Sequence, residues 1–488
     1  MTVADAPLEV LPESGLVIGG ERVAAGGGHH EHVYAANGKV TSEVGLAGVA
    51  DIDRAVRVAR SALPGWRATT ADRRRDLLWE VARLVRRDAE RLALLNVLDN
   101  STPTMIASVQ VGMTADLFSY NAGWADKVGG ELVPTWPVPA LDYAAEEPYG
   151  VIGVIIPWNG PLTALGQVLG PALAAGNTVV VKPPELAPYT ALAMAEIFHE
   201  AGIPPGVVNV LPGGAEAGQA IVTHPGVDKV HFTGSADTAQ LIMRAGSATL
   251  KPLGLELGGK SAVLVFDDAD LDGAAAAAIQ GISVGLSGQG CINGTRVLVQ
   301  RSIYDELVER SVAALANVPV GDPMDPGTAM GPVITAVAAD RIIGVIRRAV
   351  DSRYGRLVAG GERLGGDLAD GFFISPTIFA DVDPASELAH REIFGPVQSI
   401  IPFDSEDEAV AIANGTSYGL AGYLHTADLR RAHRVAAGLE VGNVWVNGGF
   451  GIPPGAPFGG VKQSGHGRLG GRAGISEFTR PKNVWIAL

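Results

Sequence analysis

The sequence predicts an α/β fold built from two doubly wound parallel-sheet domains and a small β extension. Three observations predict it. Between residues 144 and 266, short β-branched runs alternate with alanine-rich segments at helical spacing, the pattern of a parallel sheet that binds ligands at the carboxyl ends of its strands. A second alternation follows from residue 261 to about residue 446. The chain is also 488 residues long, 47% hydrophobic and only 18% charged, enough to fill two or three cores.

Taken in order, residues 16–24 read as a hairpin, and residues 49–98 carry charged and apolar residues at helical spacing that predict two helices. In the first alternation the strands are predicted at 151–157, 177–182, 207–211, 229–232 and 253–257, with helices at 162–175, 191–201, 216–223 and 238–245. In the second, strands fall at 295–299, 398–403 and 443–446. The Pro-punctuated stretch 131–147 and the tail 476–488 are β-like and are expected to pair as an oligomerisation sheet. The implied division is a dinucleotide-binding domain at 1–130 and 148–258, a catalytic domain at 259–457, and bridging segments at 131–147 and 475–488.

Composition excludes several roles. With 37 basic and 52 acidic residues, the net charge of -15 offers nothing to neutralise nucleic-acid phosphates or an anionic membrane. No apolar run, including the alanine-rich 274–284, is long enough to span a bilayer. The single cysteine excludes an intramolecular disulfide, and residues 1–12 carry acidic residues where a secretion signal needs a basic start, so a cytoplasmic enzyme is expected. His29, His30 and His32 follow three glycines and read as a solvated loop rather than a metal site, and Asp267 and Asp268 read as a helix-initiating turn.

The chemistry-bearing residues sit in short motifs. Cys291 ends Gly288-Gln289-Gly290-Cys291, where glycines let the backbone approach a substrate and present amide donors near the sulfur. Glu256 closes a predicted strand, where catalytic groups gather in such sheets and where burial would make it a base near neutrality. Asn159, in Pro157-Trp158-Asn159, could supply an amide to an oxyanion. Gly234-Ser235 stands between a strand and a helix, where backbone amides can hold a pyrophosphate. Each has a plainer alternative: an inert buried thiol, a glutamate on a surface turn, a helix N-cap and a simple connection. Gly465-His466-Gly467-Arg468-Leu469-Gly470 matches a dinucleotide fingerprint by letter, but it follows no apolar strand and opens no βαβ unit.

Taken together and in order, Pro157-Trp158-Asn159, Lys182-Pro183-Pro184-Glu185, Phe232-Thr233-Gly234-Ser235, Glu256-Leu257-Gly258-Gly259-Lys260, Gly288-Gln289-Gly290-Cys291, Glu392-Ile393-Phe394-Gly395-Pro396 and Pro457-Phe458-Gly459-Gly460 resemble the aldehyde dehydrogenase superfamily nearly end to end. The resemblance implies oxidation of an aldehyde to a carboxylic acid through a thioester on Cys291. Asn159 and the Cys291 amide would form the oxyanion hole, and Glu256 would activate the hydrolytic water. It implies NAD, with NADP possible, held by Ile156, Pro157, Trp158, Lys182, Glu185, Gly234, Ser235, Leu257, Glu392 and Phe394. The Glu185 carboxylate would accept hydrogen bonds from ribose hydroxyls and repel a 2′-phosphate. A homodimer, or a homotetramer built from two dimers, is expected.

Three departures from the family pattern stand out. Ala239 replaces a second glycine five residues after Gly234. Val168 and Leu469 stand where many hydrolytic relatives carry a lysine and a glutamate that relay protons from the base. Gly285 stands where an aromatic residue often lines the substrate tunnel, which favours a bulky or apolar aldehyde. The alternatives are a coenzyme A-acylating semialdehyde dehydrogenase, against which Glu256 argues, and a catalytically weak binding or redox-sensing homologue.

Overall fold

The computed structural model of the chain describes residues 7–283, 286–449 and 451–487. Within them the eight-stranded first sheet runs Glu21–Val23, Leu16–Ile18, Val208–Val210, Thr178–Lys182, Val151–Ile155, Lys229–Thr233, Leu253–Glu256 and Gly465–His466. The strands from Val208–Val210 through Leu253–Glu256 are parallel, and the chain order reverses between Val151–Ile155 and Lys229–Thr233. That reversal is a topological switch point, and it opens a crevice at the strands' carboxyl ends.

These strands form because their β-branched runs are buried on both faces, as helix-covered parallel strands require. Alternation sends Ile152, Val154, Val179 and Val181 into one core and Val151, Ile155 and Val180 into another. The covering helices are Pro161–Ala174, Tyr189–Glu200, Ala215–Thr223 and Ala236–Gly246, close to the predicted spans. The seven-stranded second sheet runs Arg356–Ala359, Thr377–Ala380, Val397–Phe403, Arg296–Gln300, Ala262–Val265, Ala421–His425 and Asn443–Val446, parallel apart from its first pair. The expected α/β class with two doubly wound sheets is thus the observed one.

Two expectations need correction. Residues 49–98 form parts of three helices rather than two: Val49–Ala68, Ala71–Arg87 and Ala89–Asn100. Thr69 and Thr70 adopt extended backbone (ψ 129° and 153°), and Asp88 interrupts the next junction with φ -94° and ψ 20°. Across the second break the apolar face stays in one core, and across the first Trp66 carries it into that core while Ile52, Ala55, Val56 and Ala59 face the other, so the periodicity hides both breaks. The histidines do not lie in a solvated loop. His29–Tyr34 is a strand paired with Lys39–Gly45, and His32 is buried, its ring nitrogens 2.7 Å from Thr41 Oγ1 and 3.1 Å from the Leu186 carbonyl.

The third sheet pairs the tail with the earlier extended segment. Thr479–Ala487 runs antiparallel to Ala140–Pro148, from Thr479 opposite Pro148 to Ala487 opposite Ala140, and Glu131–Val133 adds an edge. Among the described residues, no helix is long and apolar enough to cross a membrane.

Candidate active site

Each predicted site residue is placed by the end of an element. Val151–Ile155 runs out into Ile156, Pro157, Trp158 and Asn159, and the following helix Pro161–Ala174 is capped by Gly160. Asn159 is therefore not the N-cap, and its Nδ2 instead donates to the Gln289 carbonyl at 2.9 Å, tying the first sheet to the cysteine loop. Lys229–Thr233 ends at Gly234-Ser235, and Ser235 caps the helix Ala236–Gly246 by accepting from the Thr238 amide at 3.2 Å. Lys182 ends its own strand, with Glu185 in the turn beyond.

From the second sheet come the Cys291 loop and the segment carrying Glu392 and Phe394. Gly288 has φ +73°, and a Cβ there would lie 2.1 Å from the Gly395 carbonyl oxygen, so only glycine lets the two loops touch. Phe394, itself at φ 54°, meets Trp158 edge to face with ring centroids 5.5 Å apart.

All thirteen predicted residues, the three catalytic candidates and the ten cofactor candidates, line one cavity of about 930 Å³ at the switch point. Its volume falls within the range of small-molecule and cofactor sites. The helices Ala215–Thr223 and Ala236–Gly246 wall one end with Gln219, Thr238 and Leu241. Sequence reading missed these residues, because only tertiary packing aims those helix faces into the crevice.

Burial sets the electrostatics. Glu256 is 5% exposed, so it is not a surface-turn glutamate, and its Oε2 has no protein hydrogen-bond partner. Burial pushes its carboxyl well above the usual carboxylate range; the nearby Glu477 adds to the rise, and Arg468 opposes it. Cys291 is half-buried at the cleft floor. Crowding by protein atoms, with the carboxylates of Glu392 and Glu256 close by, pushes its thiol up to about 12. The backbone amides of Cys291 and Ile292 face the sulfur and pull the other way.

Glu392 accepts from the Gly259 amide at 3.1 Å, and burial raises it to about 7. A Cβ at Gly258 would lie 2.0 Å from Glu392 Oε2, so this glycine leaves the carboxylate its place. Lys182 donates to the carbonyls of Gly213 at 2.5 Å and Pro183 at 3.3 Å; burial lowers it to about 8, with Glu185 opposing the fall.

The fingerprint-like segment serves a different end. Gly465–His466 pairs antiparallel with the strand of Glu256, and a Cβ at Gly465 would lie 2.0 Å from the Leu255 carbonyl oxygen. It therefore closes the sheet edge beside Glu256. The Asp267-Asp268 turn precedes the helix Leu271–Ser283, with Asp268 accepting from Thr426 Oγ1 at 2.8 Å and Arg431 at 2.9 Å. Val168, Leu469 and Ala239 are buried apolar residues. Gly285, on which the wider-tunnel expectation rests, lies outside the described residues, as does Val284 at the end of the alanine-rich run.

The model of the aldehyde dehydrogenase family matches residues 23–484. The chain belongs to that family. It is similar to the cytosolic aldehyde dehydrogenase 1 of Mus musculus, with 44% identity over 443 residues, 89% of this chain and 87% of the relative. Among solved structures it is similar to the NAD+ complex of the aldehyde dehydrogenase from Bacillus cereus, with 40% identity, a TM-score of 0.96 and all of both chains covered. It is likewise similar to the NAD-dependent aldehyde dehydrogenase of Sinorhizobium meliloti, at 36% identity and a TM-score of 0.96, covering 100% of this chain and 97% of the other. Likeness of this extent to aldehyde dehydrogenases places the whole chain, and not one sheet alone, within the family.

Proposed function

We propose that the chain oxidises an aldehyde to a carboxylic acid with NAD, through a covalent thioester on Cys291. The observation that carries this reading is the convergence of Cys291, Glu256, Asn159 and ten cofactor candidates from two sheets on one cavity. The cavity fits a dinucleotide. It opens at a switch point, a capped helix begins at Ser235, and the room at Gly258 lets the Glu392 carboxylate stand in its wall. Lys182 and Glu185 would bind the adenosine ribose, Ser235 and Gly234 the pyrophosphate, and Glu392 and Phe394 the nicotinamide riboside, with Ile156, Pro157, Trp158 and Leu257 walling the site. When bound, NAD supplies the hydride acceptor. The Glu185 carboxylate disfavours a 2′-phosphate, which gives NAD the preference over NADP.

Cys291 attacks the aldehyde carbon and forms a tetrahedral thiohemiacetal. One Asn159 amide proton is held by the Gln289 carbonyl, which fixes the amide, and the second is available with the Cys291 N–H to stabilise the oxyanion. After oxidation, Glu256 removes a proton from the water that hydrolyses the thioester, a role its raised proton affinity suits. Residues 1–130 and 148–258 act as the cofactor domain and residues 259–457 as the catalytic domain. The three-stranded extension joins subunits into a homodimer or a tetramer of two dimers.

The testing experiment is NADH formation over a size-graded panel of aliphatic and aromatic aldehydes, with wild type and Cys291→Ala. Wild type is expected to reduce NAD and the variant to be silent. Equal rates in the two would refute the covalent mechanism, and the preferred aldehyde defines the substrate class.

A further inference from the structure

The face of the first sheet that carries Glu256 also carries buried polar groups that the chemistry above leaves unused. Residues two apart on a strand share a face, so Gly254 and Glu256 look the same way, and the register sets His231 opposite Gly254 and Thr233 opposite Glu256. A Cβ at Gly254 would lie 2.4 Å from Glu477 Oε1 and 2.6 Å from His231 Nδ1, and one at Gly467 would lie 2.7 Å from Glu477 Oε2. The Glu477 carboxylate thus occupies room that two glycines leave. Lys229 Nζ forms an ion pair with Oε1 at 2.6 Å, an oxygen that accepts no hydrogen bond, and donates its hydrogen bond to the Glu477 carbonyl at 2.6 Å.

Glu256 Oε2 and both ring nitrogens of His231 have no protein partner. A buried polar atom without a partner is costly, so atoms of this kind mark a place for a polar ligand such as water. They bound a polar strip from Glu256, 5% exposed, past His231 to Glu477, whose side chain is 10% exposed. Of the charged or titratable groups around the strip, Cys291 and Arg468 face Glu256, while Lys229 and Tyr149 face Glu477.

We propose that Glu477 is a positioning residue for thioester hydrolysis, acting through Glu256 as the carboxylate that receives its proton and releases it to solvent. The proposal rests on the reading of Glu256 as the general base. In the hydrolytic step a water O–H bond breaks as its oxygen bonds to the thioester carbonyl carbon. Glu256 takes the proton, the C–S bond breaks, and the Cys291 sulfur leaves with the electron pair and takes the proton of the product acid, which departs as a carboxylate. Glu256 returns to the carboxylate by passing the proton along the strip to Glu477, which loses it at its exposed edge; nothing is oxidised or reduced. His231, lowered to about 3 by burial, is neutral at working pH and can accept on one nitrogen while donating from the other.

The test uses 4-nitrophenyl acetate, an activated ester that acylates a thiol without cofactor or aldehyde. The nitrophenolate burst reports acylation of Cys291, and the steady phase reports hydrolysis. For Glu477→Gln the burst and the KM are expected to stay near wild type while the steady phase falls about tenfold, with partial recovery in Glu477→Asp. The double variant Lys229→Met/Glu477→Met strands no buried charge and is expected to be equally slow in the steady phase. A steady phase at wild-type rate in Glu477→Gln, or a parallel loss of burst and steady phase in both it and the double variant, would overturn the proposal. Glu256→Gln, run alongside, separates the two readings. If its steady phase is unchanged, the general-base reading itself is wrong and the relay falls with it; if only Glu256→Gln is slow, the relay alone falls.

Discussion

Cys291 shares its cleft with the half-buried carboxylate of Glu392 and the buried one of Glu256, and both oppose formation of the thiolate beside them. With the thiol pushed up to about 12, the fraction ionised between pH 7 and pH 9 is small and grows with each proton removed from solution. Inactivation of the cofactor-free protein by iodoacetamide should therefore accelerate about tenfold per pH step of one over that range. A rate already constant above pH 7 would mean that the sulfur is ionised and that its surroundings are more polar than the buried geometry shows. Glu185 decides a different question. Glu185→Ala removes a charge that would face a 2′-phosphate, and the NADP-to-NAD ratio of kcat/KM should rise about tenfold or more, about 1.4 kcal/mol in differential binding. An unchanged ratio would assign cofactor choice to other residues.

Among the elements, the helix Ala236–Gly246 joins stability to cofactor binding, because one side chain, Ser235, caps it and lines the cavity. Ser235→Ala loses the bond to the Thr238 amide and should cost about 1 kcal/mol of stability in urea unfolding, together with weaker NAD binding by calorimetry. Loss of stability with unaltered NAD affinity would make Ser235 a cap and nothing more. The Gly254 strand makes a comparable demand. Gly254→Ala would drive a methyl group into Glu477 Oε1 and His231 Nδ1, so it should lower stability by about 1–3 kcal/mol, read from the same unfolding curves. Several element identities were legible beforehand, since the runs at 151–157 and 177–182 are too apolar and β-branched for anything but buried strands. The break at Asp88 was not legible, because an amphipathic stripe that stays on one core face shows no interruption where the backbone turns.

At the scale of the molecule, the three-stranded extension exposes Leu132 at 75%, Trp136 at 80%, Trp485 at 49% and Ile486 at 45%. The proposed subunit contact would cover this apolar surface. Sedimentation should show an oligomer for the wild type and smaller species for a Trp485→Asp/Ile486→Asp variant; a wild-type monomer would refute the subunit-joining role of the extension.

The sequence by itself determined the α/β class and the pairing of the tail with the earlier extended segment; of the thirteen residues that meet in the cleft, its motifs offered Cys291, Glu256, Asn159, Gly234 and Ser235, and its resemblance to the aldehyde dehydrogenase family supplied the others. The fold was legible because strand burial leaves a compositional trace and because glycines and turn residues mark where strands end, whereas the cofactor residues carry no such trace and were implied only by the ordered motifs that resemble the family. The tertiary structure alone decided what stands behind Glu256. The groups there come from two stretches far apart in the chain, Lys229 and His231 from one and Gly467 and Glu477 from the other, and strand register and two missing side chains bring them together. Local periodicity carries no record of such a meeting, since the contact is made by the absence of a Cβ and not by any pattern of residues near it.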